Sequence, residues 1–173
     1  MNILLTGKPR SGKTTIIKKL TRDLKNAGGF YTEEIRDRYR KGFKIVTLSG
    51  KEGVLAHVSI RTGYRVGKYG VNIEDLEKIA VKSIEESIKT KEIVIIDEIG
   101  KMELFSEKFR NAVEKALNSG KVLGTIMEKN NYFTEKIKKR KDVKVLHVKE
   151  ENRDRLVEEI KEILNQRNLK RST

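Results

Sequence analysis

Apolar and polar positions fall into two regimes along the chain. A short apolar run over 2–6, Ile3, Leu4 and Leu5 between Asn2 and Thr6, reads as a buried strand. Ile16, Ile17, Leu20 and Leu24 recur at helical spacing, which predicts a helix over 14–25 closed by Gly28 and Gly29. Three β-rich stretches follow, at 30–35, 43–48 and 54–60, joined by glycine-bearing turns at 39–42 and 50–53. They predict an antiparallel β-meander, about residues 30–60, inserted after the first helix. From residue 72 the pattern becomes a regular alternation. Leu76, Ile79, Ala80, Ile84 and Ile88 mark one face of a helix over 73–88, and 92–97 is an apolar strand ending in an acid. Helix 106–118, strand 121–127, helix 132–140, strand 143–148 and helix 151–166 complete the series. Such alternation predicts an α/β fold with a mostly parallel sheet flanked by helices. One domain over 1–173 is expected, with residues 167–173 as a frayed tail.

Composition narrows the class. Charged residues are 37% of the 173-residue chain, yet the apolar ones come in periodic blocks, which argues against disorder. The absence of cysteine excludes a disulfide framework, a thiolate zinc site and a cysteine nucleophile. His57 and His147 stand far apart, too few for a histidine metal site. No run approaches the ~20 apolar residues of a membrane span, and the N-terminus lacks a cationic start and a cleavage site. A cytoplasmic protein without membrane contact is expected. Residues 1–70 hold 16 Lys/Arg and 5 Asp/Glu, a net of +11, whereas the remainder holds 23 and 20, a net of +3. A basic N-terminal portion suggests an anionic ligand. Many Lys and Glu, with one Gln, also resemble a thermophile's ion-pair-rich surface.

Candidate chemistry lies where two strands end. Gly7, Lys8, Pro9, Arg10, Ser11, Gly12, Lys13 and Thr14 fit G-x-x-x-x-G-K-[ST], between a predicted strand and a predicted helix. That context marks a Walker A phosphate loop. Its backbone N–H groups would cradle phosphate, Lys13 would reach the β- and γ-phosphates, and Thr14 would bind Mg²⁺. Val94, Ile95 and Ile96 lead into Asp97 and Glu98, the form of a Walker B strand: Asp97 would hold Mg²⁺ and Glu98 would activate water. Asp97 to Gly100 also spells the D-x-x-G of GTPases. The nearest base-reading segment, Lys139-Arg140-Lys141-Asp142, lacks the required Asn, so dedicated guanine specificity is not expected. Thr125 is either a γ-phosphate sensor or a plain strand residue. Arg10, Lys101, Arg110 and Arg153 are candidates to neutralise charge in the transition state.

Beyond these motifs the chain resembles the THEP1-type nucleoside-triphosphatases, relatives of the human cancer-related nucleoside-triphosphatase. The resemblance rests on the words Gly29-Phe30-Tyr31-Thr32-Glu33-Glu34, Val46-Thr47-Leu48-Ser49-Gly50 and Leu123-Gly124-Thr125-Ile126. The most specific word runs from Asp97-Glu98-Ile99-Gly100-Lys101 through Met102 to Phe105. It implies a P-loop NTPase with a RecA-like sheet, in which another strand separates the phosphate-loop strand from the acid strand. It also implies Mg²⁺-dependent hydrolysis of ATP, GTP, CTP and UTP with broad base specificity, and a nucleotide site over Gly7 to Thr14 and Val94 to Lys101. Met127 departs from the family, where proline is frequent. A monomer binding nucleoside triphosphates is expected. Two rivals remain: a small nucleotide or nucleoside kinase using Arg36, Arg38 and Arg40 as a closing lid, and a nucleic-acid-binding switch using Tyr39, Arg40 and Lys41.

Overall fold

The computed structural model describes residues 1–172. A nine-stranded sheet runs through the molecule in the order β5-β6-β4-β3-β2-β7-β8-β1-β9. Its strands are β1 (Asn2–Thr6), β2 (Ala27–Arg36), β3 (Arg40–Thr47), β4 (Glu52–His57), β5 (Arg65–Val66), β6 (Tyr69–Val71), β7 (Ile93–Ile99), β8 (Val122–Ile126) and β9 (Val143–His147). The helices are α1 (Lys13–Arg22), α2 (Ile73–Asp75), α3 (Lys82–Thr90), α4 (Glu107–Asn118), α5 (Tyr132–Lys138) and α6 (Arg153–Arg171).

The sheet is mixed, which corrects the expectation of a mostly parallel one. Strands β2, β7, β8, β1 and β9 pair in parallel. The junctions among β2, β3, β4, β6 and β5 are antiparallel. The cause is β2. Its first residues, Ala27 to Phe30, pair with β7, and from Phe30 onward it pairs with β3. The meander therefore extends the main sheet instead of sitting apart from it. It also reaches further than residue 60, because Val66 and Tyr69 close a short hairpin over Gly67 (φ 56°).

Parallel strands buried on both faces explain the unbroken apolar runs. Ile3 and Leu5 face α1 and α6 with Ile16, Ile17 and Ile160, whereas Leu4 faces the opposite core with Phe30, Ile84, Phe109 and Val113. Strand β7 divides likewise, Ile95 to the first core and Val94 and Ile96 to the second. The helix expected over 73–88 is one rod whose middle, Leu76–Val81, is a π-helix between α2 and α3. Residues 167–171, expected to fray, continue α6, and Thr173 lies outside the described residues.

Candidate active site

Strand order brings the two acids and the phosphate loop together. β1 and β7 are separated by β8 alone, and all three run parallel, so their C-terminal ends open on one side of the sheet. β1 delivers the chain to Gly7, whose φ is 148°; a side chain there would place its Cβ 2.7 Å from the Val148 carbonyl oxygen. The loop turns through an Ser11 N–H to Lys8 carbonyl bond of 3.1 Å, with Arg10 at φ 63°. Gly12, at φ 101°, starts α1 with no side-chain cap, and the first turn holds no acid. The first N–H groups of α1 therefore stay free to receive an anion. A Cβ on Gly12 would lie 2.6 Å from Arg153 Cδ, so the residue that opens α6 packs directly over the loop.

Lys13 bends back across the loop. Its Nζ donates to the Gly7 carbonyl at 2.7 Å and lies 3.5 Å from Glu98 Oε2. Asp97 is 2% exposed, and its Oδ1 accepts a 2.6 Å bond from the Thr125 hydroxyl on β8. Burial raises its pKa to about 6, opposed by the Thr125 and Thr14 hydroxyls and by Lys13, and reinforced by Glu98. The Asp97–Glu98 peptide is cis. Three buried polar atoms around the loop have no hydrogen-bond partner: Thr6 Oγ1, Ser11 Oγ and Asp97 Oδ2. The cost of leaving such atoms unpaired is recovered when a ligand meets them.

A third carboxylate joins the pair. Glu103, 5% exposed, opens a 3₁₀ turn (Glu103–Phe105) after β7. Its pKa is held well above the usual carboxylate range by burial first and then by the Glu98 charge. Both acids crowd Gly100, where a Cβ would stand 2.6 Å from Glu98 Oε1 and 2.9 Å from Glu103 Oε2. The cleft that holds these groups encloses about 370 Å³ and is lined by Arg10, Lys13, Thr14, Asp97, Glu98 and Lys101 among others.

The structure sorts the candidate residues. Pro9, Arg10, Lys13, Thr14, Asp97, Glu98 and Lys101 line that cleft, and Gly12 lines an adjoining one. Lys8 is exposed. Val94, Ile95, Ile96 and Ile99 line neither cleft: they are fully buried strand residues whose side chains fill the two cores. Arg110 lines neither of these clefts, and its Nη1 donates to the Leu104 carbonyl at 2.6 Å. Arg153 adjoins the loop as the sequence allowed. Glu103, outside the site residues read from the sequence, also lines this cleft; its only signal was its place in the word after Gly100. Thr125 resolves as the partner of Asp97.

Similarity to known proteins agrees with this geometry. A family model described as NTPase matches residues 2–161. The nucleoside-triphosphatase THEP1 of Thermotoga sp. (strain RQ2) is 55% identical over 166 residues, covering 95% of each chain. The human cancer-related nucleoside-triphosphatase is 41% identical over 178 residues, covering 92% of this chain and 94% of its own. The crystal structure of THEP1 from Aquifex aeolicus superposes with a TM-score of 0.85 at 38% identity, covering 92% of this chain and 96% of that one. With a phosphate-loop sequence, an acid strand two places away in the sheet and matches along nearly its whole length, the chain belongs to the THEP1 nucleoside-triphosphatase family.

Proposed function

We propose that the protein is a Mg²⁺-dependent P-loop nucleoside-triphosphatase that releases diphosphate and phosphate with little preference among bases. The observation that carries this reading is the convergence of Lys13, the unpaired Asp97 Oδ2 and Glu98 on one cleft at the end of β1 and β7. The strand β8 between β1 and β7 supports the RecA-like order that the family resemblance implies.

The donor set suits a hard cation. Asp97 Oδ2 is buried without a partner, and the Thr14 hydroxyl is near enough to favour the charged carboxylate. Among the described residues no three acids or histidines form a metal site by themselves, so the ion would be shared with phosphate oxygens. Bound there, Mg²⁺ would supply positive charge across the β- and γ-phosphates. The free N–H groups of the loop and α1 hold the phosphates, while Lys13 exchanges the Gly7 carbonyl and Glu98 for a phosphate oxygen. That exchange frees Glu98 to accept a proton from water attacking the γ-phosphorus. Glu103 stands beside Glu98 at Gly100, its pKa pushed well up by burial and by the Glu98 charge.

Broad base specificity is supported by position. The segment 139–142 precedes β9, which runs parallel to β1, so it lies at the end of the strands opposite the loop, and Arg140 there is tied to Asp142 and Asn118. It offers no base-reading surface to the cleft. Phosphate release from ATP, GTP, CTP and UTP tests the reading. Rates within about tenfold of one another are expected, equivalent to 1.4 kcal/mol of discrimination. A hundredfold preference for one base sinks the claim of breadth, and no release from any sinks the reading.

A further inference from the structure

Two clefts meet at the phosphate loop. Arg10, Lys13, Thr14 and Glu33 line both. One follows the start of α1 past Thr15 and Lys18 to Arg153. The other passes Asp97 and Glu98 and ends in an apolar wall of Phe43, Leu55, Val66 and Met102. In a loop of this sequence the lysine takes the β- and γ-phosphates, so the tail of the triphosphate lies between Lys13 and the acids. The nucleoside then leaves along α1, through the first cleft. A γ-phosphate and a water make no use of the apolar wall, and the volume of about 370 Å³ falls within the range of small-molecule sites.

Resting on the triphosphatase reading, we propose that the second cleft is an acceptor subsite for a neutral, ring-bearing alcohol of the nucleoside class. The enzyme then transfers the γ-phosphoryl group to a hydroxyl as well as to water. The cations on the cleft wall, Arg10, Lys13, Arg40 and Lys101, do not outnumber its carboxylates, and Arg40 is paired with Glu34 and Lys13 with Glu98, so the wall holds no surplus of positive charge for an anionic acceptor such as a monophosphate. Phe43 and Met102 offer apolar surface to a planar ring. Arg40 is positioned beside them: its guanidinium lies 5.1 Å from the Phe43 ring centroid, Nε donates to Tyr69 at 3.0 Å and Nη1 to Glu34 at 3.2 Å. Its Nη2 makes no hydrogen bond among the described residues and is free to donate to a ring carbonyl. In the transfer step the acceptor oxygen bonds to the γ-phosphorus and the bond from that phosphorus to the β–γ bridging oxygen breaks. The electron pair leaves with the nucleoside diphosphate, and the hydroxyl proton passes to the Glu98 carboxylate. The product is a nucleoside monophosphate.

The experiment follows label from [γ-³²P]ATP into phosphate and into monophosphate, with adenosine, guanosine, cytidine, uridine or thymidine present in turn and with none. Labelled monophosphate from at least one nucleoside, formed as phosphate release falls, is the expected result. Phosphate release that continues unchanged, with no labelled monophosphate from any of the five, overturns the proposal and leaves the triphosphatase reading intact. Absence of phosphate release without a nucleoside overturns the triphosphatase reading instead, and labelled monophosphate would still support the subsite. Val66→Trp, on a half-buried edge strand, places an indole in the apolar end. The ratio of monophosphate to phosphate should fall by about tenfold or more, as for loss of a filled apolar subsite. An unchanged ratio places any acceptor elsewhere and overturns the assignment of this cleft.

Discussion

Asp97 illustrates how a candidate site residue is held against its own preference. Its carboxylate is buried among core strands with one hydroxyl donor, and its pKa stands at about 6 against an ordinary 3.8. A raised carboxyl pKa means that the folded state binds the proton more tightly than the unfolded one. The associated stability is present below pH 3.8 and is lost as the pH rises to about 6. In chelator and without nucleotide, Asp97→Asn should therefore raise the melting temperature at pH 7.5, by the equivalent of up to about 3 kcal/mol. The difference from wild type should shrink toward pH 4, and thermal melts across that range check it. Glu98 differs, since the proposed function gives it a role exercised only in the transition state. Glu98→Gln should lower single-turnover hydrolysis by about 10²–10⁴ with nucleotide affinity nearly unchanged. A loss below threefold would move the base to Glu103. Lys13→Ala should weaken binding and reduce turnover below about a tenth of wild type, because backbone N–H groups alone do not balance the γ-phosphate charge. Nucleotide titration beside phosphate release measures both.

At the scale of elements, the site depends on joints between secondary structures. β8 supplies Thr125, whose hydroxyl holds Asp97 from the neighbouring strand. Thr125→Val keeps the shape and removes a bond to a charged acceptor worth about 1.5–3 kcal/mol. Hydrolysis should fall by about tenfold or more, and a Thr125→Ser variant should recover most of it. Gly12 joins the loop to α1 in a left-handed conformation and lies under Arg153. Gly12→Ala forces both a positive φ and a contact with that arginine, so it should cost about 1–2 kcal/mol of stability from the backbone alone. Denaturant melts with and without nucleotide would separate that cost from lost binding. These joints account for what was legible. Strand β1, the loop and α1 were readable because glycine positions and apolar periodicity are local. Strands β5 and β6 were not, because two and three residues carry no period, and Tyr69 and Val71 are buried only by what the meander brings to them.

At the scale of the whole molecule, the charge asymmetry acquires a location. Residues 36–70 hold nine Lys/Arg against Asp37 and Glu52, and they form the antiparallel half of the sheet. Tyr39 is 58% exposed there, with Lys41 and Lys68 over its ring. An exposed aromatic among cations is the pattern of single-strand nucleic-acid binding, although the lysines already occupy this ring. If this face binds nucleic acid, an oligouridine of about twenty nucleotides should bind at about 50 mM salt and lose affinity steeply by about 200 mM. Fluorescence anisotropy at both salts decides it, and no binding at the lower salt removes that function from the molecule. Among the described residues no helix is long and apolar enough to cross a membrane.

The sequence by itself determined the elements with a strong period, the glycine-bearing loop between β1 and α1, the acids that end the apolar run of β7, and the family. Each of these is encoded within ten or twenty neighbouring residues, where propensity, glycine placement and apolar spacing act directly. Only the tertiary structure decided that β2 is shared between a parallel and an antiparallel half, because that choice depends on which strands lie beside it. It also decided that Val94, Ile95 and Ile96 serve the core, that Thr125 holds Asp97, and that Glu103 is buried beside Glu98. Those are contacts across the sheet or through a turn, and no local pattern specifies the partner of a buried oxygen.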